Sequence, residues 1–191
     1  MKIFLLLLFV LQFFRCANNN ENSEFPNLKF RHDESLLSSS NIYEGISLSI
    51  PLNFEQIVGN DFLIIEDNLE NIENSFFNTD VLFAFQNEDG GLIIISKINA
   101  EKPIISKLAK EFESSLIQSS EALETNRGQF LINGIETVQF ITKKDDIINY
   151  KLFFNVMHDI CYQIDYFILQ NNFVKYQASL ESSISTYRIN H

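Results

Sequence analysis

The stretch GQFLINGIETVQFITKKDDIINYKLFFNVMHDICYQIDYFIL, residues 128–169, decides the fold. Towards its end Ile148, Tyr150, Leu152, Phe154 and Val156 fall on one side of an extended chain, with Asn149, Lys151 and Asn155 on the other. Ile160, Tyr162, Ile164, Tyr166 and Ile168 then share a side opposite Cys161, Gln163 and Asp165. A period of two in a run rich in aromatic and β-branched residues is the mark of a half-buried strand. Met157-His158-Asp159 lies between the two and is short enough for a hairpin turn. Upstream, Asn133-Gly134 joins Gln129–Ile132 to Ile135–Thr142, because Asn-Gly readily takes the positive φ that a tight hairpin needs. Lys143–Asp146 makes the next polar turn. Four consecutive strands form a meander, and an apolar face of it must be covered.

Working outward, the chain before the meander supplies one cover. Ile104, Leu108, Phe112 and Leu116, with Ile105 beside them, form an apolar stripe at helical spacing. Lys107, Lys110, Glu111 and Glu113 take the other side. Pro103 suits the first turn of such a helix, which is expected to run to about Glu124 and to close at Asn126-Arg127-Gly128. After the meander a second long helix repeats the pattern through Phe173, Tyr176, Leu180, Ile184 and Tyr187, with Asn171 or Asn172 as its cap. Val81–Gln86 and Leu92–Ile98 read as two strands around the loop Asn87-Glu88-Asp89-Gly90-Gly91. Leu69, Ile72 and Phe76, with Phe77, predict a short amphipathic helix over Asp67–Phe77. Asp61–Ile65 is a short apolar run, strand or packed loop. Gly45–Ile50 alternates as an opening strand that Pro51 ends or places at an edge.

The expected architecture is α+β: a largely antiparallel sheet of about six strands packed with two long helices and one short one. The folded domain is expected over 41–191. Residues 17–40, with their clusters of Asn, Ser and Glu, read as a flexible tether carrying at most a short ordered patch at Phe25–Phe30.

Composition bounds the function. The 191 residues hold 14 Lys and Arg against 25 Asp and Glu, a formal charge of −11. Nucleic-acid binding needs basic clusters that displace counterions, so this balance argues against it, and equally against general attraction to anionic lipid. Nineteen Phe and six Tyr support a sizeable core. Apart from Cys16 the cysteine is Cys161, mid-strand, and a disulfide framework needs a pair in the mature chain. The fold is therefore expected to stand on its core, with Cys161 as a buried side chain rather than a reactive thiol.

Chemistry-bearing motifs are missing from the sequence. There is no Gly-x-Ser-x-Gly elbow, Walker loop, dinucleotide fingerprint or His-Glu-x-x-His. The three histidines are His32, His158 and His191. His158-Asp159 reads as a turn rather than part of a triad. Arg31-His32-Asp33-Glu34 reads as a solvated patch rather than a ligand set. Glu88-Asp89 lacks the regular oxygen series of a calcium loop, and Gly90-Gly91 precedes a strand, not the helix that a phosphate cradle requires. Glu136, Asp145, Asp146 and Asp165 form no recognisable acid/base pair. No cofactor and no metal is expected.

Met1–Arg15 holds Lys2 and then Ile3–Phe14, apolar except for Gln12, the length of a signal-peptide core and short of the ~20 residues that span a bilayer. Cys16 follows, and then Ala17-Asn18-Asn19-Asn20-Glu21-Asn22. This layout resembles a bacterial lipoprotein signal, which implies a leader over 1–16, lipidation at Cys16 and a soft spacer. The usual pattern has a small residue before the cysteine, where this chain has Arg15. Cleavage near Ala17 with secretion, or an uncleaved anchor, therefore stands beside lipidation.

The Gly45–Pro51 strand, the helix from Pro103, the Asn133-Gly134 hairpin, the Tyr162–Tyr166 strand and the closing Leu180–Ile184 helix together resemble the PsbP-like fold over roughly 41–187. The resemblance implies a non-enzymatic binding protein, as in an extrinsic photosystem subunit and a nuclear-transport factor of that fold. The expected function is an exported, lipid-anchored cell-envelope accessory module that presents a sheet face or a helix–sheet groove to an envelope protein partner. It would touch the membrane only through its N-terminal lipid or signal anchor. Two alternatives are an enzyme whose pocket gathers His158 or two carboxylates such as Glu136, and a carrier of a small apolar ligand between helix and sheet.

Overall fold

The computed structural model describes residues 25–43, 45–73, 78–99, 104–118, 124–157 and 160–189. Ten strands and three α-helices occur among them. In chain order they are β1 (Asn41–Tyr43), β2 (Ile46–Leu48), β3 (Glu55–Gln56), α1 (Asn60–Glu73), β4 (Asn78–Gln86), β5 (Leu92–Asn99) and α2 (Ile105–Gln118). The meander follows as β6 (Glu124–Ile132), β7 (Ile135–Lys144), β8 (Ile147–Met157) and β9 (Ile160–Leu169), and then α3 (Phe173–Ile184) and β10 (Arg188–Ile189). Seven strands form one antiparallel sheet in the order β3-β4-β5-β9-β8-β7-β6, and β1-β2-β10 form a small second sheet. The α+β class is as expected. The main sheet has one strand more than expected, and the opening strand β2 belongs to the small sheet instead.

The meander turns where its residues demand. Asn133 and Gly134 take φ of 53° and 80°, so Ile132 pairs directly with Ile135 across a two-residue turn. Asp145, at φ 52°, turns β7 into β8. The β8–β9 turn at His158-Asp159 lies outside the described residues.

Both faces of the sheet are covered, where the alternation had suggested one. On one side Leu152, Phe154, Tyr162, Ile164, Tyr166 and Ile168 pack with Tyr176, Leu180 and Ile184 of α3, with Tyr187, and with Ile46, Leu48 and Ile50 around β2. Tyr187 stacks on Phe154 with ring centroids 4.7 Å apart. On the other side Phe153, Phe140, Val138 and Cys161 meet Ile105, Leu108, Ala109 and Phe112 of α2. Phe112 sits edge-on to Phe140 at 5.0 Å and to Phe153 at 5.5 Å. Beside α2, Phe62 and Ile65 of α1 cover Val81 and Ile94. Each large apolar side chain so buried contributes roughly 1.5–3 kcal/mol, and the described cysteine, Cys161, is a free thiol. Packing carries this fold.

Several expected boundaries move. Asp61–Ile65 and the helical pattern beyond it are one helix, α1, not a strand or loop followed by a short helix over Asp67–Phe77. Phe76 and Phe77 lie outside the described residues. Ile104 precedes α2 and is exposed, so the buried stripe runs through Ile105, Leu108, Ala109, Phe112 and Ser115. Asn126-Arg127-Gly128 does not close that helix but lies within β6, paired to Ile141, Phe140 and Gln139. Asn172 makes no capping bond to α3. It ends a short 3₁₀ turn, Gln170–Asn172, and its side-chain amide donates to the Asp89 carbonyl at 3.3 Å.

The largest difference concerns the tether. From Pro26 onward the chain is docked as a strap. Leu131 N–H donates to Pro26 O at 2.9 Å and Leu28 N–H to Leu131 O at 2.8 Å, along the outer edge of β6. Phe30 packs edge-on to Phe130 at 6.3 Å. A 3₁₀ turn at Glu34–Leu36 follows, with the Asp33 carboxylate accepting from Ser35 N–H. Ser38 N–H then donates to Ile50 O and Leu52 N–H to Leu36 O. Backbone pairing, invisible to composition, holds this polar segment in place.

Candidate functional site

Two polar hollows flank the α3 layer, and each is built by segments distant in sequence. The first, of about 680 Å³, lies between the β4–β5 hairpin and the start of α3. Its hairpin is shaped by Asn87, whose Oδ1 accepts from Gly91 N–H at 2.7 Å and Asp89 N–H at 3.1 Å, while Gly90 takes φ 78°. That turn aims the Asp89 carboxylate at α3, where Lys175 and the Tyr176 hydroxyl both donate to it. The two donors hold Asp89 below the usual carboxylate range, the Lys175 bond first and the Tyr176 bond second. Lys175 is raised by the same bond. Tyr176 is raised chiefly by burial and then by the hydrogen bond its hydroxyl donates to Asp89. Leu52, Asn53, Glu55, Gln86 and Glu88 complete the lining. The hairpin carboxylate is thus a docking contact for α3. Among the described residues no three His, Cys, Asp or Glu side chains converge as a metal site.

The second hollow, of about 500 Å³, is bounded by the strap, β2 and the chain after α3. Ser38–Ser40, Ser47, Ser49 and Thr186 line it together with His32, Glu34, Leu37 and Arg188. The end of α3 is tied down to build it. Ser183 Oγ donates to Ser49 O at 2.7 Å, and Ser49 N–H donates to Thr186 Oγ1 at 2.9 Å. Arg188 Nη1 donates to Ser185 O at 3.0 Å and Tyr187 O at 2.9 Å. The Asn133 amide of the β6–β7 turn reaches the same two carbonyls at 2.9 Å. In the small sheet Arg188 stands directly opposite Ser47. The guanidinium is therefore anchored before any ligand arrives. On its far side an adjoining hollow of about 430 Å³ brings Lys29 to the same pair, His32 and Arg188.

His32 has a serine and a carboxylate beside it, and the geometry tests a hydrolytic reading. Ser185 Oγ lies 2.8 Å from His32 Nδ1 but donates its proton to Ser182 O at 2.7 Å. The imidazole must then donate from Nδ1 to the serine oxygen, the reverse of a base taking its proton. Glu34 stands 3.6 Å from Nε2 with its side chain 90% exposed. The His32–Ser185 contact clips the strap to the end of α3.

The remaining sequence candidates separate. Glu136 accepts from the Gln129 amide at 2.9 Å, its cross-strand neighbour on β6. Asp145 and Asp146 sit exposed in the β7–β8 turn, where Asp146 O accepts from Gln170 N–H at 2.7 Å. Arg31 reaches Asp33 at 3.9 Å. The Cys161 thiol is buried under α2, and burial raises its pKa to about 12, which leaves it inert. Cys16, His158 and His191 lie outside the described residues. Asp165 is where the sequence reading fell short. It is fully buried and accepts from Lys151 Nζ at 2.8 Å and from the Asn149 amide at 3.0 Å. Lys151 is 3% exposed, with Phe112 and Phe153 rings 5.3 and 5.6 Å from its ammonium. Both residues had been placed on the polar side of their strands, and α2 covers that side.

No protein-family model matches the chain, and no curated protein sequence matches it. Solved structures do. LpqN of Mycobacterium tuberculosis, described as involved in cell envelope biogenesis, superposes with TM-score 0.50 at 9% identity, covering 76% of this chain and 83% of LpqN. The match is one of fold. The cyanobacterial PsbP (CyanoP) of Synechocystis matches with TM-score 0.48 at 10% identity over 91% of this chain and 98% of its own. A protein of Bacteroides thetaiotaomicron matches with TM-score 0.43 at 11% identity over 77% of this chain and 46% of its own. A PsbP, the fold expected from the order of elements, is among the structural matches.

Proposed function

We propose that this chain is an exported, lipid-anchored accessory protein of a bacterial cell envelope, and that it binds a protein partner without catalysing a reaction. The observation that carries the proposal is the N-terminal order: apolar Ile3–Phe14, then Cys16, then a run of Asn and Glu leading into a packed α+β domain. That order supplies an export signal, a lipid attachment point and a spacer. The description of LpqN, a protein of similar fold, as involved in cell envelope biogenesis supports the reading.

The domain supports a binding role. With α1, α2, α3 and the small sheet over the main sheet, the sheet faces are closed, and the partner must meet a helix, an edge or a loop. Val58, just before α1, and Leu63 and Ile64, in its first turns, are 70%, 54% and 57% exposed. Apolar side chains of that size, presented together on one short segment, favour a partner with an apolar surface of its own. Polar groups that could serve catalysis are spent on structure: Ser185 on Ser182, Glu136 on Gln129, Asp165 on Lys151, Asp89 on Lys175. The apolar-ligand alternative finds its helix–sheet seams filled by Phe112, Phe140 and Phe153 on one face and by Phe154, Tyr162 and Tyr187 on the other.

Metabolic labelling with a clickable fatty acid, in the native cells, tests the anchor. Label on the wild-type chain in the membrane fraction, abolished in Cys16→Ser, is the expected result. An unlabelled chain in the membrane or a chain retained in the cytoplasm removes lipid anchoring. Crosslinking in the same cells tests the partner, with adducts expected at residues 58–64. No protein captured above background would overturn the binding role.

A further inference from the structure

We propose that the outer edge of β6, from Thr125 to Gln129, takes an extended segment of the protein partner as an added strand, with an apolar side chain of that segment against Ile117. This mode of holding rests on the reading above that a protein partner is bound.

The backbone comes first. β6 is the last strand of the seven-stranded sheet, and it pairs with β7 in unbroken register. Along an antiparallel pair, residues whose backbone groups meet alternate with residues whose groups face away. Leu131 is of the second kind, since its N–H and carbonyl bond to Pro26 and Leu28 of the strap. By alternation Gln129, Arg127 and Thr125 face outward as well. Among the described residues no backbone group meets theirs. A regular edge of this kind is a template for another strand.

The strap shows the edge in use, and its own sequence stops it. Asn27 lies opposite Leu131 in parallel. The next step of that ladder needs the N–H of residue 26 for the Gln129 carbonyl, and Pro26 has none. The chain also bends at Phe25. The strap thus pairs at Leu131 and leaves the same lane open from Gln129 back to Thr125.

Side chains name the occupant. Arg127, a charge that could guard the edge, is turned back onto Glu113 of α2 at 2.8 Å and lies 5.9 Å from the centre of the Phe140 ring. Ile117 stands one turn beyond Glu113 on the same side of α2 and is 78% exposed. An added strand would therefore meet an apolar side chain on the helix flank that reaches β6. With 25 acidic residues against 14 basic ones, the chain repels acidic segments. The occupant is an uncharged or basic segment with apolar residues at alternate positions.

Short random peptides, displayed and selected on the full chain in neutral detergent, supply the probe. Those recovered are titrated while amide exchange is followed by NMR. Sequences poor in Asp and Glu are expected, and they should slow exchange at the outward amides of Thr125, Arg127 and Gln129. Asn126 and Gly128, whose amides face β7, should not change. Thr125→Pro removes an outward N–H and no bond to β7, and should weaken the best peptide roughly fivefold or more. Ile117→Ser should weaken it too, and carries the comparison if Thr125→Pro does not fold. Val58→Ser, before α1, should leave it unchanged. The proposal is overturned if no peptide slows the three amides, or if the folded edge variants bind as tightly as wild type. Slow exchange of those amides in the free chain overturns it as well; protection lost on dilution would then identify a second copy, and protection that remains would identify residues before Phe25. Failure of the partner reading looks different: peptides add to the edge, yet crosslinking in cells captures no protein.

Discussion

Removing the buried cation at position 151 should destabilise the protein far more than removing the whole ion pair. Lys151 is 3% exposed and Asp165 not at all, with 2.8 Å between Nζ and Oδ2. Lys151→Met keeps the unbranched stem that packs against Phe112 and Phe153 and deletes only the charge. Asp165 would keep the Asn149 amide but lose its cation in a site closed by α2. Breaking one side of a buried pair costs about 3–5 kcal/mol, because the surviving charge must stay buried without its opposite charge. For a chain of this size, each kcal/mol moves the melting temperature by roughly 2–4 °C, so a fall of about 6–20 °C is expected. Replacing both partners, as Lys151→Met with Asp165→Leu, removes the stranded charge as well and should restore stability to within about 2 kcal/mol of wild type. Urea unfolding of wild type, both single variants and the double variant closes the cycle, with thermal melts beside it. A loss below about 1 kcal/mol for Lys151→Met would refute the reasoning, because it would mean that water reaches the carboxylate. A double variant as unstable as the single one would refute it too, by showing that the loss does not come from a stranded Asp165 charge.

Two further outcomes follow from the titrating groups. Cys161 is raised from the ordinary 9.0 to about 12, and burial pushes Tyr166 and Tyr187 above their ordinary 10.0 as well. The folded chain therefore keeps protons that the unfolded chain has released, so stability is complete below pH 9 and declines as pH rises from there. Urea midpoints should drop steadily between pH 9 and 11, with Cys161→Ala removing the earliest part of the decline; a flat profile would show that these groups are hydrated. Asp89 has the opposite sign: its lowered pKa stabilises above the ordinary 3.8 and the contribution is lost as pH falls through the folded value. Amide exchange of α3 residues 173–176, corrected for intrinsic rate, should quicken on acidification in wild type, and Asp89→Asn should abolish that dependence. An acid profile identical in the two would place the docking of α3 elsewhere.

The four-strand meander was legible because its own residues impose it. Asn133-Gly134 fixes one turn, and a three-residue turn at 157–159 sets Val156 against Ile160, which by simple counting puts Lys151 opposite Asp165. The observed register is that one, with an irregularity between Asn155 and Met157 absorbed next to the turn. The pairing of the two charges was thus present in the sequence, but their burial was not. Alternation says which side chains share a face; only the route of the rest of the chain says what lies over it. Phe153 and Phe140, on the same side as Lys151, were the overlooked sign that this side also needed a cover, and α2 answers them with Phe112. The strap illustrates the same rule from the other direction. Residues 26–40 show no apolar period because Leu131 and Ile50 hold them by backbone bonds, which any sequence can make. The hollow beside the strap inherits that blindness. Ser47 and Ser49 stood out as the polar side of an alternating strand, while Arg188 and His32, 156 residues apart, are united only by the turn of the chain after α3. A site whose parts are joined by long-range backbone pairing carries no local spacing to read. Its lining comes together only when the strap, β2 and β10 are in place.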